Sequence, residues 1–329
     1  MTMLITRRAS LLGLAGVVLV SAASCSSVAG STAHAGHSTS EAATGALIMA
    51  HGGGAVWNAE VEAMLAPLSK EHPIEIAFGM AEAASLQSGV KRLEARGVQR
   101  IAVVRLFISG ESWYERTEQI LGLVPGAEPQ SGEHAGHGEH ASHGSSGGGG
   151  GHSMALWRIE TKSSFALSKQ GLSEAPEMSE VLVERARGLS KDPSRESVLI
   201  IGHGPEDDGE NQRWLTMIDQ RAEAMRRLAP FKRVQVETLR EDWPDKRVVS
   251  EARIRSFVEQ AGQDNGRVLV IPYRVSGFGP YANVLKGLSY EADQKGLLPS
   301  AGVEHWVRRQ IKELSAGPFR APQQHAHGV

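Results

Sequence analysis

The chain has 329 residues, 41% of them hydrophobic, enough for one large core or two of ordinary size. Its formal net charge is −2, and lysine and arginine are spread without a basic block interleaved with aromatics, which argues against a nucleic-acid surface. A single cysteine excludes an intramolecular disulfide, a thiolate zinc site and an iron–sulfur cluster within one chain, so any metal must use nitrogen and oxygen ligands.

In chain order, the first segment reads as a targeting signal. Thr6, Arg7 and Arg8 precede the apolar run Leu11 to Val20, the basic start and hydrophobic centre of a bacterial export signal, too short to span a bilayer. TRRASLL is similar to the twin-arginine pattern, with Ser10 where an aromatic or leucine is usual, so general secretion stays open. Cys25 follows Ala22, Ala23 and Ser24, resembling a lipoprotein cleavage box; the alternative is simple cleavage after small residues. The first reading makes Cys25 a lipidated membrane anchor and the protein an exported one, in the periplasm or cell envelope. Residues 26–45 are small and polar, a flexible tether.

The strand Ala46 to Ala50 ends in LIMAHGGG, with His51 before three glycines. A short apolar run breaking into glycine predicts a strand buried on both faces of a parallel sheet, and ligands of open α/β sheets bind beyond the carboxyl ends of such strands. A helix over Asn58 to Lys70, a strand Ile74 to Phe78, a helix Ala81 to Arg96 capped at Gly97 and a strand Arg100 to Ile108 follow, with a third helix over Trp113 to Leu123. This βαβαβ order places Glu111, just past the third strand, at the same sheet edge as His51.

Residues 127–153 change composition to glycine, serine and histidine, including His134, His137, His140, His143 and His152. No packed core can form from them, so they read as a flexible insertion: either a solvated linker or a chelator of cobalt, nickel, copper or zinc, since imidazoles on a pliable backbone adapt to the ion.

After a short run at Leu156 to Glu160, the second half repeats the first. LIIGHGP, which carries His203, restates the opening strand, and helices over Asn211 to Leu228 and Val248 to Gln260 alternate with strands Val198 to Ile201, Arg233 to Thr238 and Arg267 to Pro272. Two Gly-Leu stretches, from Gly171 and from Gly296, each lead into a helix and form a second sign of duplication. PYRVSGFGPY stands where RLFISGESWY stood, so Phe278 occupies the place of Glu111. Asp207 and Asp208 beside His203 read as a metal site or as a solvated acidic loop. REDWP, from Arg240 to Pro244, reads as a contact to substrate carboxylates or as a cap of the sheet. Neither a phosphate loop nor a GxSxG nucleophile elbow is present.

LIMAHGGG and LIIGHGPEDD both resemble the opening strand and loop of the sirohydrochlorin chelatases, the cobalt- and iron-inserting enzymes of cobalamin and sirohaem synthesis, VRLFISGESWYERTEQIL their third strand and following helix, and GLLPSAGVEHWVRRQI their late helix. The resemblance spans most of Ala46 to Leu314. It implies an α/β fold of two similar chelatase-like domains, residues 46–190 and 191–316, each a parallel sheet flanked by helices and facing a shared cleft, with a flexible tail at 317–329. It implies His51 as metal ligand and proton acceptor. In the family a second histidine stands where Glu111 is found here, and the wider superfamily pairs histidine with glutamate, so Glu111 becomes the partner ligand or base. His203 remains as a metal-ligand candidate in a degenerate second site. The implied function is insertion of Co2+ or Fe2+, with Ni2+ or Zn2+ as further candidates, into a sirohydrochlorin-like tetrapyrrole, with no organic cofactor. Because tetrapyrrole synthesis is generally cytoplasmic, the export signal supports an alternative: a non-catalytic lipoprotein that binds metal or tetrapyrrole.

Overall fold

The structure, a computed structural model, describes residues 43–130, 155–263 and 266–323. The export signal, Cys25, most of the tether and the five histidines of the insertion lie outside the described residues.

The described residues belong to one compact unit holding two parallel four-stranded sheets. The first sheet contains β1 (Thr44–Ala50), β2 (Ile74–Phe78), β3 (Arg100–Leu106) and β4 (Ser164–Leu167), in the order β2-β1-β3-β4. The second contains β5 (Glu196–Gly202), β6 (Arg233–Thr238), β7 (Arg267–Tyr273) and β8 (Glu291–Ala292), in the order β6-β5-β7-β8. The registers correspond. Ala50 pairs with Leu106 and Gly202 with Tyr273, which makes His51 equivalent to His203 and Glu111 to Phe278, as the sequence comparison places them. The short edge strands β4 and β8 are additions that the sequence does not announce. The run at Leu156 to Glu160 forms only an isolated bridge, Arg158 with Pro129.

Among the described residues eight α-helices connect and cover these sheets: α1 (Ala55–Leu65), α2 (Ala83–Ala95), α3 (Tyr114–Ile120), α4 (Met178–Leu189), α5 (Asp208–Leu228), α6 (Pro244–Ala261), α7 (Tyr281–Val284) and α8 (Ala301–Ala316). Alternation along the strands sorts the core into layers. Ile48 and Val104 of the first sheet share one buried cluster with Ile200 and Ile271 of the second, filled by side chains of α1, α4, α5 and α8. Leu47, Met49 and Val103 point the other way, onto α2. Leu199, Ile201 and Val270 point onto α6. Both faces of each sheet are therefore buried, which is why the central strands are continuous apolar runs.

The terminal helices are exchanged. Helix α4, which closes the first half in sequence, packs on α5 and β7 of the second, whereas α8, which closes the second, packs on β3 and β4 of the first. The change of half expected near residue 190 thus falls between α4 and β5 in sequence, while packing carries α4 across it.

The two Gly-Leu stretches have a common physical cause. Leu172 and Ser173 donate backbone N–H bonds to the carbonyls of Phe107 and Ile108, at 2.9 and 2.8 Å. Leu297 and Leu298 donate equivalently to Arg274 and Val275, both at 2.8 Å. Such an approach leaves no space for a Cβ on the preceding residue. One built on Gly171 would lie 2.4 Å from the Ser109 carbonyl carbon and 2.5 Å from Gly110 N, and one on Gly296 2.8 Å from the Arg274 carbonyl oxygen. Gly171→Ala is expected to destabilise the protein by about 1–3 kcal/mol through forced backbone displacement. Gly188→Ala, within α4 with nothing inside 4 Å of the added carbon, is expected to be neutral or stabilising by about 0.5–1 kcal/mol. Urea unfolding of the two variants measures the contrast; equal midpoints would refute it.

Candidate metal and macrocycle site at the strand ends

The carboxyl ends of the strands, where ligands of open α/β sheets bind, carry His51 directly after β1 and His203 directly after β5. In both halves the next residue is a glycine at positive φ, Gly52 at 79° and Gly204 at 81°, a region that L side chains avoid. That turn brings the glycine carbonyl back onto the histidine ring. Nδ1 of His51 lies 2.8 Å from the Gly52 oxygen, and Nδ1 of His203 lies 2.8 Å from the Gly204 oxygen. A carbonyl only accepts, so each Nδ1 carries the proton, and the chemistry of each ring is decided at Nε2.

There the halves part. His51 is exposed, and its Nε2 has no hydrogen-bond partner among the described residues, so that nitrogen is left open to a ligand. His203 is half-buried, with Nε2 2.8 Å from Asp242 Oδ2 and 3.3 Å from Glu241 Oε1. Both nitrogens of His203 therefore donate, and the ring is held as a cation. Burial alone would push its pKa down, but the bond to Asp242 and the charges of Glu241 and Asp242 outweigh that and raise it. The Asp242 carboxyl is lowered in turn, chiefly by the bond to His203, with smaller contributions from Arg274 and from His51. The contribution of His51 shows that the two strand-end histidines lie within electrostatic reach of the same carboxyl. Trp243 stands edge-on to the His203 ring, centroids 5.9 Å apart, and Arg274 holds Glu241 at 2.5 Å.

Glu111 stands on the same edge as His51, as topology requires, but no hydrogen bond or ion pair joins the two among the described residues. Its carboxylate is held by Arg213 of α5, with Nε 2.7 Å from Oε1 and Nη2 2.6 Å from Oε2. That bidentate bond is the main reason its pKa is lowered. The loop carrying Glu111 is fixed from below by Arg105, which is 1% exposed and donates to the carbonyls of Ser168, Ser112 and Gly110. Burial pushes the Arg105 guanidinium down to about 10. Glu174 adds a clamp, accepting from Gly110 N and Gly171 N. Phe278, in the place equivalent to Glu111, is buried against Tyr281 and Tyr290 and offers no ligand.

The acidic loop after His203 has structural partners. Asp207 caps α5 by accepting from Glu210 N, and Asp208 pairs with Arg240 and Lys246. Arg240 is 6% exposed and spends its donors on the carbonyls of Pro205 and Glu206 and on Asp208, which makes it a clamp of that loop and leaves it no fork for a substrate. Glu241 and Asp242, which sequence reading passed over, are the residues of the REDWP turn that meet His203; two acids shortly past a strand end were the available signal. Arg105 was also signalled, as a lone charge inside an apolar strand. Arg213 carried no signal at all, since its partner lies in the other half. Among the described residues no three histidine, cysteine, aspartate or glutamate side chains are arranged to hold a metal ion, and no helix is long and apolar enough to cross a membrane.

No protein-family model matches the chain, and no curated protein sequence matches it. Solved structures do. SirB from Bacillus subtilis with Fe3+ superposes with a TM-score of 0.57 at 15% identity, covering 83% of this chain and 96% of that one. The sirohydrochlorin chelatase SirB from Bacillus subtilis subspecies spizizenii, in complex with cobalt, gives 0.53 at 14% identity, covering 84% and 97%. The chain therefore has the fold of these sirohydrochlorin chelatases, the class II chelatase fold, over most of its length.

Proposed function

We propose that the protein inserts a divalent metal, cobalt or iron, into a sirohydrochlorin-like tetrapyrrole at the crevice between its two sheets. The observation that carries this reading is the setting of His51: an exposed imidazole at a strand end whose Nδ1–H is fixed by Gly52, whose Nε2 has no partner among the described residues, and which lies within electrostatic reach of the Asp242 carboxyl. Insertion requires a ligand that holds the ion loosely while it sheds water, and a base for two pyrrole protons. His51 suits the first task and shares the second with Glu111. The acidic Glu241–Asp242 turn lowers the electrostatic cost of bringing a divalent cation into the crevice. The glycines at 52, 53 and 54 keep the wall beside His51 low enough for a flat macrocycle to approach. The chelatase fold is consistent with this use of the strand ends.

The histidine-rich insertion fits as a reservoir for the same ion. Ala155, the first described residue after it, is bonded through its carbonyl to Arg116, which also holds the carbonyl of Ala81 just beyond β2. Ala155 is thereby tied to the segment that follows β2. One observation favours a second reading: Glu111 is already engaged by Arg213, as suits a carrier that binds metal or tetrapyrrole without joining them.

Anaerobic absorbance spectroscopy separates the two. The protein is mixed with sirohydrochlorin and cobalt(II) or iron(II) and compared with the uncatalysed reaction. A faster appearance of the metallated spectrum is expected, with deletion of Glu133 to His152 slowing it only at limiting metal. Macrocycle binding without acceleration would leave the carrier.

A further inference from the structure

We infer that Arg213 is the receptor for a carboxylate of the macrocycle, and that Glu111 occupies it as an internal surrogate until the macrocycle arrives. This rests on the reading of the crevice as a tetrapyrrole site.

A tetrapyrrole of this class carries several acid side chains, and the crevice offers few cations to meet them. Arg105 is sealed beneath the Glu111 loop, with its donors on three backbone carbonyls. Arg240 is consumed by the loop at Pro205 to Asp208. Arg274 is tied to Glu241 and lies over Tyr281. His203 is closed by Asp242. Lys169, at the end of β4, is exposed but offers a point charge without a fork. Arg213 differs from all of these. Its side chain is 53% exposed, its guanidinium fork is presented to one carboxylate, and that carboxylate is 48% exposed as well.

Exchange at such a site is nearly balanced. A macrocycle carboxylate that replaces Glu111 keeps the same two charge-assisted hydrogen bonds and the same charge on the fork. The difference appears at Glu111. Once displaced, its carboxylate is left on the same edge as His51, within the field of Asp207 and Glu210, the latter itself made harder to ionise by burial and by Glu111. That concentration of negative charge is relieved by a divalent cation. The structure thus orders the events: macrocycle first, then a second ligand beside His51, then metal. The metal-ligand set is incomplete without the macrocycle.

The signature is a substitution that tightens binding while impairing the reaction. Binding of metal-free sirohydrochlorin is followed by quenching of tryptophan fluorescence in the full-length protein. Glu111→Gln removes the competing charge, so the dissociation constant is expected to fall about threefold, while insertion slows. Arg213→Met is expected to raise the dissociation constant about three- to tenfold, the scale of a half-exposed charge-assisted pair. In the double variant Glu111→Gln no longer tightens binding. Binding by the wild type with Glu111→Gln equal to it or weaker overturns the inference and leaves the crevice assignment intact. No quenching by the wild type overturns both.

Discussion

His51→Ala is expected to reduce metal insertion by at least about a hundredfold, the loss typical when a positioned acid–base group is removed. The expectation follows from the tautomer rather than from proximity alone. With Nδ1–H held by the Gly52 carbonyl at 2.8 Å and no carboxylate on Nε2 among the described residues, Nε2 is the nitrogen left to offer its lone pair to a metal. The side chain is exposed, so its loss should leave the fold unchanged and the melting temperature nearly constant. His203→Ala makes the contrast. Its ring is already satisfied on both nitrogens, and its removal leaves Asp242 and Glu241 without their central cation, so its effect belongs to crevice architecture and local stability. Initial rates of metallation at fixed cobalt and sirohydrochlorin decide the matter. Insertion that survives His51→Ala at more than a tenth of the wild-type rate would remove His51 from the chemistry.

The largest effect on stability is expected at Trp306. It is fully buried in α8, where it enters the cluster shared by both sheets, and its indole N–H donates to Gln170 at 3.0 Å. Trp306→Ala removes that apolar volume from a close-packed interior and strips Gln170 of one of its partners; losses of about 3–5 kcal/mol accompany comparable truncations. The consequence should reach the site. Gln170 immediately precedes Gly171, whose backbone sits against Ser109 and Gly110 in the loop that presents Glu111. Chemical denaturation should therefore show a lowered midpoint, and Trp306→Phe, which keeps most of the volume, should recover most of the loss. A midpoint shift below about 1 kcal/mol for the alanine variant would show that α8 does not hold the halves together.

The sequence made the inner strands legible because burial on both faces leaves an unbroken apolar signature, and because that signature occurs twice. The edge strands Ile74–Phe78 and Arg233–Thr238 lack that signature, being only partly buried, and are located by alternation and by the helix and turn that bound each. β4 and β8 are not, being four and two residues long and defined by pairing rather than by composition. At the site, the equivalence of His51 with His203 and of Glu111 with Phe278 could be read from spacing, since parallel registers preserve it. What the site residues touch could not. Arg213 reaches Glu111, and Asp242 feels His51, only through the packing of one half on the other, and linear order holds no trace of such contacts. The different hydrogen bonding of two identical His-Gly motifs depends on a carboxylate pair that only the second half possesses.

The exchange of α4 and α8 bears on how this asymmetry can exist. Two identical subunits trading their last helices across a twofold axis would form the same architecture, but they would be bound to show the same residue at both equivalent positions. Here one polypeptide holds both copies, so each position is inherited separately. One copy of the motif presents a Lewis base and the other a cation; one loop offers an acid and the other an aromatic plug. The fusion gives the crevice a front and a back, and a ligand entering it meets two different faces.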